Sequence, residues 1–142
     1  MKILNRFALV SILAAGLSAD AAPAIKVACV GDSITEGAGL NANTYPAALG
    51  RFLGTNYTVR NFGVSGTTLL RKGDLPYWNQ AAFRTATNSS PDIVTIMLGT
   101  NDSKAFNWIY KAQFPKDLGD MIDTFANLPS RPRVFVCLPV PA

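Results

Sequence analysis

The sequence predicts an α/β fold in which helices cover both faces of a parallel sheet. Strand-like runs alternate with helix-like segments in the order β-α-β-α-β-α-β, and the strand-like runs are almost continuously apolar. Strands that are buried on both faces have this composition. The 142 residues suit one domain, and 49% hydrophobic with 15% charged residues is a globular composition.

Four apolar runs predict the strands. The first is interrupted only by Lys26, and the third is bounded by Pro91 and Gly99. The predicted strands are Ile25–Val30, Tyr57–Phe62, Asp92–Leu98 and Val134–Leu138.

Helical signals fall between these strands. The first helical segment has Pro46 in its first turn and Gly54 at its end, which are favourable positions for those residues. The last carries an apolar face at helical spacing, made by Leu118, Met121, Ile122 and Phe125. The predicted helices are Thr44–Leu53, Tyr77–Thr87 and Lys116–Asn127.

The first 21 residues have the pattern of a secretory signal peptide. Lys2 and Arg6 precede an uncharged apolar run over 7–19, and Ala19-Asp20-Ala21 matches an A-x-A cleavage site. An uncleaved anchor is the alternative, but the run is short for a span of ~20 residues. We therefore expect a mature domain over 22–142, secreted or periplasmic, with no stable membrane insertion after cleavage.

The charge pattern and the cysteine count bear on three features: nucleic-acid binding, a disulfide and a metal site. The net charge is +4, but the basic residues are scattered without interleaved aromatics, so nucleic-acid binding is not expected. Export would permit a disulfide, but Cys29 and Cys137 lie in apolar strand-like runs, which predicts two buried thiols. Two cysteines and no histidine do not favour a metal site.

Three short motifs follow the first three predicted strands. They are Gly31-Asp32-Ser33, Asn61 to Gly66, and Gly99-Thr100-Asn101-Asp102. Parallel α/β sheets bind ligands at the carboxyl ends of their strands, where all three motifs fall. A serine there can act as a nucleophile, and neighbouring N–H groups can hold the oxyanion that forms.

Each motif also has a purely structural interpretation. Asp32 or Ser33 could cap a short helix, 61–66 could be a turn, and 99–102 could be an Asx-type cap. The glycines after the first strand could form a phosphate cradle. However, no lysine follows in the P-loop pattern and the spacing is not G-x-G-x-x-G, so nucleotide binding is not expected.

In this order, the motifs resemble blocks I, II and III of the SGNH (GDSL) hydrolase family, over Ile25 to about Pro139. The resemblance implies a flavodoxin-like three-layer α/β/α sandwich that hydrolyses esters through an acyl-enzyme, without a cofactor. It implies that Ser33 is the nucleophile. Its N–H, the Gly66 N–H and the Asn101 amide would form the oxyanion hole, and Asp102 would brace the loop that carries Ser33.

The family's fourth block, Asp-x-x-His, has no counterpart in this sequence, which contains no histidine. The carboxylates Asp117, Asp120 and Asp123 are not followed by histidine, and they fit a solvated helix face without a catalytic role. The chain stops just past the fourth predicted strand. We therefore expect a hydrolase domain that is truncated at the C-terminus and lacks its base.

The substrate is less well indicated. The aromatic residues that follow the second and third motifs could stack on sugar rings or simply pack in the core: Tyr77, Trp78, Phe106, Trp108 and Tyr110. The overall pattern is most similar to carbohydrate and sialate O-acetylesterase-like members, which favours small oxygen esters such as O-acetyl groups on carbohydrate. The alternatives are a non-catalytic carbohydrate-binding protein and a degenerate fragment that does not fold stably. The sequence does not indicate an oligomeric state.

Overall fold

The structure is a computed structural model that describes residues 22–40 and 43–138. The predicted signal peptide over 1–21 lies outside the described residues. The strands are β1 (Ile25–Gly31), β2 (Tyr57–Gly63), β3 (Ile93–Met97) and β4 (Arg133–Val136). The helices are α1 (Ser33–Glu36), α2 (Tyr45–Leu53), α3 (Ala81–Asn88), α4 (Ala105–Trp108) and α5 (Phe114–Ala126). Single 3₁₀ turns cover Tyr77–Asn79, Asn101–Ser103 and Lys111–Gln113.

The four described strands form one parallel sheet in the order β2-β1-β3-β4, which confirms the predicted fold class. The chain passes from β1 to β2 on one side and then to β3 on the other, so the order reverses between β1 and β3. Gly31 at the end of β1 is in register with Gly63 of β2 and Met97 of β3. Three strands therefore end level with one another at the switch point, where α/β sheets bind ligands.

Helices cover both faces of the sheet. Alternate residues of the strands, such as Val30 and Ile96, form one buried cluster with Phe125 of α5 and with α3. Cys29 and Thr95 face the opposite side, where the Tyr45 hydroxyl of α2 lies 3.0 Å from Thr95 Oγ1. The two faces follow from the period of two along a strand. The described residues thus form the expected three layers.

The predicted helix over Tyr77–Thr87 is two elements in the structure. A 3₁₀ turn at Tyr77–Asn79 is separated from α3 by Gln80, whose φ of −81° and ψ of 149° are extended. Tyr77 is fully buried and its hydroxyl donates to the Phe62 carbonyl at 2.6 Å. The break lets the turn direct Tyr77 into the core while α3 runs along the sheet.

The two cysteines are both free thiols in the structure. Cys29 is buried as predicted, whereas Cys137 is only half-buried because it follows β4, which has β3 as its one neighbour among the described strands. Burial raises the pKa of the Cys29 thiol. No helix within the described residues combines the length and apolar character needed to cross a membrane.

Candidate active site

The first motif forms the junction between β1 and α1. The Asp32 carboxylate caps α1 by accepting the Ile34 N–H at 3.0 Å, so the cap is Asp32 and not Ser33. Ser33 is then the first residue of the helix and is half-buried. Because Asp32 makes the cap, the Ser33 hydroxyl is not needed for it, and Oγ makes no hydrogen bond to another described residue.

Asn61 attaches α1 to the end of β2, a role that goes beyond the turn expected over 61–66. Its amide donates to the Thr35 and Glu36 carbonyls at 2.8 and 3.2 Å, and its Oδ1 accepts the Gly63 N–H at 2.9 Å. A β-carbon on Gly63 would overlap the backbone nitrogen of Glu36. The glycine therefore permits the close approach of the two segments, and Asn61 fixes it.

The second motif continues past β2 beside α1. The Glu36 carboxylate accepts hydrogen bonds from the Ser65 N–H, at 2.8 Å, and from the Ser65 hydroxyl. Gly66 has φ of +81°, a left-handed conformation that favours glycine. The Gly66 N–H donates to no other described residue.

The third motif reaches the same edge of the sheet from β3. One proton of the Asn101 amide donates to the Thr67 carbonyl at 3.0 Å, directly after Gly66. This bond orients the amide and leaves its second proton available, since an amide nitrogen carries two donors. Within the described residues the Ser33 N–H also has no acceptor.

Hydrogen bonds thus connect the segments that carry the three predicted site residues. Glu36, in the helix that begins at Ser33, accepts from Ser65. The Thr67 carbonyl, directly after Gly66, accepts from Asn101. These connected segments carry one serine hydroxyl and three N–H donors that have no partner among the described residues. Such donors stabilise the oxyanion of acyl transfer. The catalytic roles of Ser33, Gly66 and Asn101 remain predictions, and the contacts show only where these residues lie.

Asp102 contacts a different loop from the one that was expected. Its two carboxylate oxygens accept the Leu69 and Leu70 N–H groups at 3.0 and 2.7 Å. The expectation that Asp102 braces the Ser33 loop is therefore wrong: it braces the loop that carries Gly66. Asp102 is fully buried, and burial raises its pKa, with a smaller contribution from the charge of Asp32.

The carboxylates of α5 differ in part from the expected solvated face. Asp117 is 4% exposed, accepts the Arg71 N–H at 2.9 Å and pairs with the Arg71 guanidinium at 3.5 Å. Asp120 is half-buried and pairs with Lys116, which holds its pKa below the ordinary value, whereas Asp123 is exposed. Asp117 thus anchors the loop after Leu70 and is not solvated.

Four of the five aromatic residues named above divide into two groups, and the fifth, Tyr110, is half-buried. Tyr77 is buried, and Trp78 packs against Phe83 and donates to the Leu69 carbonyl at 2.8 Å, so these two stabilise the core. Phe106 and Trp108 are 58% and 43% exposed on α4, which follows Asn101. Only this second group has the exposure that contact with a sugar would require.

No histidine is present in the 142 residues, and none of the described residues forms a hydrogen bond with Ser33 Oγ. The described residues also form no cluster of three metal-ligating side chains. An ester hydrolysis at Ser33 therefore requires a base that these contacts do not supply.

Comparison with known proteins identifies the family. The family model described as GDSL-like lipase/acylhydrolase matches residues 29–142. The chain belongs to this family. The match covers all three motifs of the GDSL-like chain and confirms the resemblance on which the site was predicted.

Among characterised relatives of this GDSL-like chain is an acetylxylan esterase from Xylanibacter ruminicola, 43% identical over 139 residues. The alignment covers 84% of this chain but only 29% of that protein. The chain thus spans less than a third of the relative that it matches.

Solved structures agree with the fold. Est24, a carbohydrate acetylesterase from Sinorhizobium meliloti, superposes with a TM-score of 0.62 at 21% identity, covering 79% of this chain and 62% of that one. AlinE4, an SGNH-hydrolase family esterase, gives a TM-score of 0.59 at 22% identity, with coverages of 82% and 60%. At these identities the comparison supports the fold of the GDSL-like chain and carries no assignment of substrate.

Proposed function

We propose that the protein is a serine esterase that removes O-acetyl groups from carbohydrate through an acyl-enzyme on Ser33. The observation that carries the proposal is that the Ser33 hydroxyl, the Ser33 and Gly66 N–H groups and one Asn101 amide proton have no partner among the described residues, on segments that hydrogen bonds join. Family membership and the 43% identity to an acetylxylan esterase support the reaction and the substrate class.

In the proposed reaction, Ser33 Oγ attacks the ester carbonyl carbon while a base takes its proton. The charge that develops on the carbonyl oxygen is held by the N–H groups of Ser33, Gly66 and the Asn101 amide. Collapse breaks the bond to the sugar oxygen, which receives the proton from the base. Water then attacks acetyl-Ser33 in the same way and releases acetate.

Covalent labelling with added imidazole tests the nucleophile, because imidazole can act as an external base. We expect the 142-residue chain to react with a fluorophosphonate probe, faster as imidazole is raised, and Ser33→Ala to abolish the reaction. Ser89→Ala is the control, since Ser89 lies at the end of α3, before β3 begins. Equal labelling of the wild type and Ser33→Ala would overturn the assignment of Ser33.

A carbohydrate-binding protein without catalysis is the alternative against which the esterase is tested, and the similarity to an acetylxylan esterase does not favour it. Acetylated xylo-oligosaccharides separate the two functions. The esterase predicts release of acetate in the presence of imidazole, lost in Ser33→Ala. Calorimetric binding with no release of acetate, unchanged by Ser33→Ala, would instead support the binding protein.

A further inference from the structure

Leu75 lies beside the proposed oxyanion donor Gly66. One of its methyl groups is 3.6 Å from the position that a β-carbon on Gly66 would occupy. Leu75 is also 40% exposed, so its side chain is accessible to a bound molecule. An apolar surface is therefore presented to solvent next to a backbone N–H that has no partner among the described residues.

Two backbone hydrogen bonds to Thr68 hold the chain at Leu75 in place. The Leu75 carbonyl accepts the Thr68 N–H at 2.9 Å, and the Thr68 carbonyl accepts the Tyr77 N–H at 2.9 Å. These two bonds join the segments on either side of the loop as a short parallel bridge between Thr68 and Pro76. Thr68 is itself fully buried, so the bridge is anchored in the core.

The preceding residue, Asp74, is held by Asn107. The Asn107 side chain accepts the Asp74 N–H and donates to the Asp74 carboxylate, both at 2.9 Å. It also donates to the Asn101 carbonyl at 2.9 Å, and it is only 1% exposed. The backbone at Leu75 is thus held relative to the loop that carries Gly66 and to Asn101.

These contacts have a consequence for the acyl group. When the carbonyl oxygen of an ester accepts the Gly66 N–H, the substituents on its carbonyl carbon lie close to the residues that surround Gly66. For an acyl group that lies on the Leu75 side of Gly66, the methyl group of an acetyl ester is the smallest apolar substituent, and each further methylene adds contact with the Leu75 side chain. Rigid apolar walls discriminate between substrates by such differences in size.

We propose that Leu75 is a specificity-determining residue that restricts the acyl group of the ester to short chains. The inference rests on the proposed esterase function and adds the residue that sets acyl length. It also assigns a role to an exposed apolar side chain that the three motifs do not include.

The test compares p-nitrophenyl acetate and p-nitrophenyl hexanoate with imidazole supplied as the base. For each variant, the rate of the corresponding Ser33→Ala chain is subtracted, which leaves the Ser33-dependent rate. We expect Leu75→Ala to raise the hexanoate-to-acetate ratio about tenfold, the lower end of the discrimination that one methylene gives in a hydrophobic pocket. Leu75→Phe should lower the same ratio, and circular dichroism of each variant shows whether it is folded.

Ile25→Ala is the matched control. Ile25 is also aliphatic and 37% exposed, but it is the first residue of β1, at the opposite end of the strand from Ser33. The ratio should be unchanged in this variant. A second series that varies the alcohol, with phenyl and naphthyl acetates, should respond little to Leu75→Ala.

The outcomes separate the two proposals. Absence of any Ser33-dependent rate on acetate would overturn the esterase itself. A Ser33-dependent rate on acetate whose hexanoate ratio is unchanged or lowered in Leu75→Ala would overturn the role of Leu75 alone. A change confined to the alcohol series would place Leu75 at the leaving group and would also overturn the proposal.

Discussion

The buried carboxyl group of Asp32 caps the start of α1, so the Ser33 hydroxyl is not needed for the cap. Asp32 is 1% exposed and accepts the Ile34 N–H. Burial raises its pKa from the ordinary value of 3.8, and the hydrogen bond to Ile34 opposes this effect without reversing it. The cap is therefore made by a group whose ionised form is costly to bury.

This cost predicts a pH dependence of stability. The native state binds the Asp32 proton more tightly than the unfolded state, so the contribution of Asp32 to stability falls as pH rises from about 3.8 through the higher native pKa. Asp32→Asn keeps the oxygen that accepts from Ile34 and removes the charge. Its melting temperature relative to wild type should therefore be higher at about pH 7 than at about pH 4.

Asp123→Asn is the control for this measurement, because Asp123 is exposed on α5. Its melting temperature relative to wild type should change little between the two pH values. If the difference for Asp32→Asn were equally flat, the Asp32 carboxyl would not be the source of a pH-dependent cost.

The sequence predicted which residues of the motifs lie at the carboxyl edge, but not all of their partners. Ser33, Gly66 and Asn101 follow strands whose ends are level in a parallel sheet, so their common edge follows from topology alone. The contact of Asp102 with the Leu69 and Leu70 N–H groups joins residues more than 30 positions apart. No periodicity or spacing indicates such a contact, because it depends on the path of a loop.

One buried side chain after β3, that of Asn107, joins the loop that contains Asp74 to the loop that contains Asn101. Asn107 of α4 makes three hydrogen bonds, two to Asp74 and one to the Asn101 carbonyl. By contrast, the nearby ion pair between Lys104 and Asp74 spans 3.8 Å with both side chains about two-fifths exposed, so it contributes little. The connection between the loops depends on the amide.

Asn107→Ala should therefore lower the free energy of unfolding by about 1–3 kcal/mol, since it removes three part-buried hydrogen bonds. Chemical denaturation measures the loss. Asn79→Ala, in the exposed position of a 3₁₀ turn, should change stability by less than about 0.5 kcal/mol. Equal losses in the two variants would contradict the assigned role of Asn107.

Long elements were predicted better than short ones. The four strands and the helices α2 and α5 were found within about two residues of their predicted ends, because each carries a periodic apolar pattern or a terminal signal. The four-residue helix α4 is too short to show a period. The break at Gln80 has no signal of its own, since it follows from the path of Tyr77 into the core.

At the scale of the whole molecule, the described sheet has an apolar edge at β4. Phe135 and Val136 are each 45% exposed and Leu138 is 90% exposed. Among the described strands, β4 pairs only with β3. An edge strand with exposed apolar side chains is a template for pairing with another chain.

We therefore expect the 142-residue chain to self-associate as its concentration rises, and Val136→Lys to reduce this association. Size-exclusion chromatography with light scattering measures it. Phe52→Lys is the comparison, because Phe52 is 87% exposed on α2, which packs against β2 at the other side of the sheet. Association reduced equally by both variants would reflect net charge and not the β4 edge.

The assembly of the site from three separate strand exits links chemical reactivity to the intactness of the sheet. Ser33, Gly66 and Asn101 belong to segments that meet only when β1 is paired with both β2 and β3. A chain in which β2 or β3 has separated from β1 keeps all three residues but no longer brings them together. Reactivity at Ser33 would then measure the fraction of molecules in which β1 is paired with both β2 and β3. A substitution that stabilises the sheet far from Ser33 would therefore raise the apparent activity.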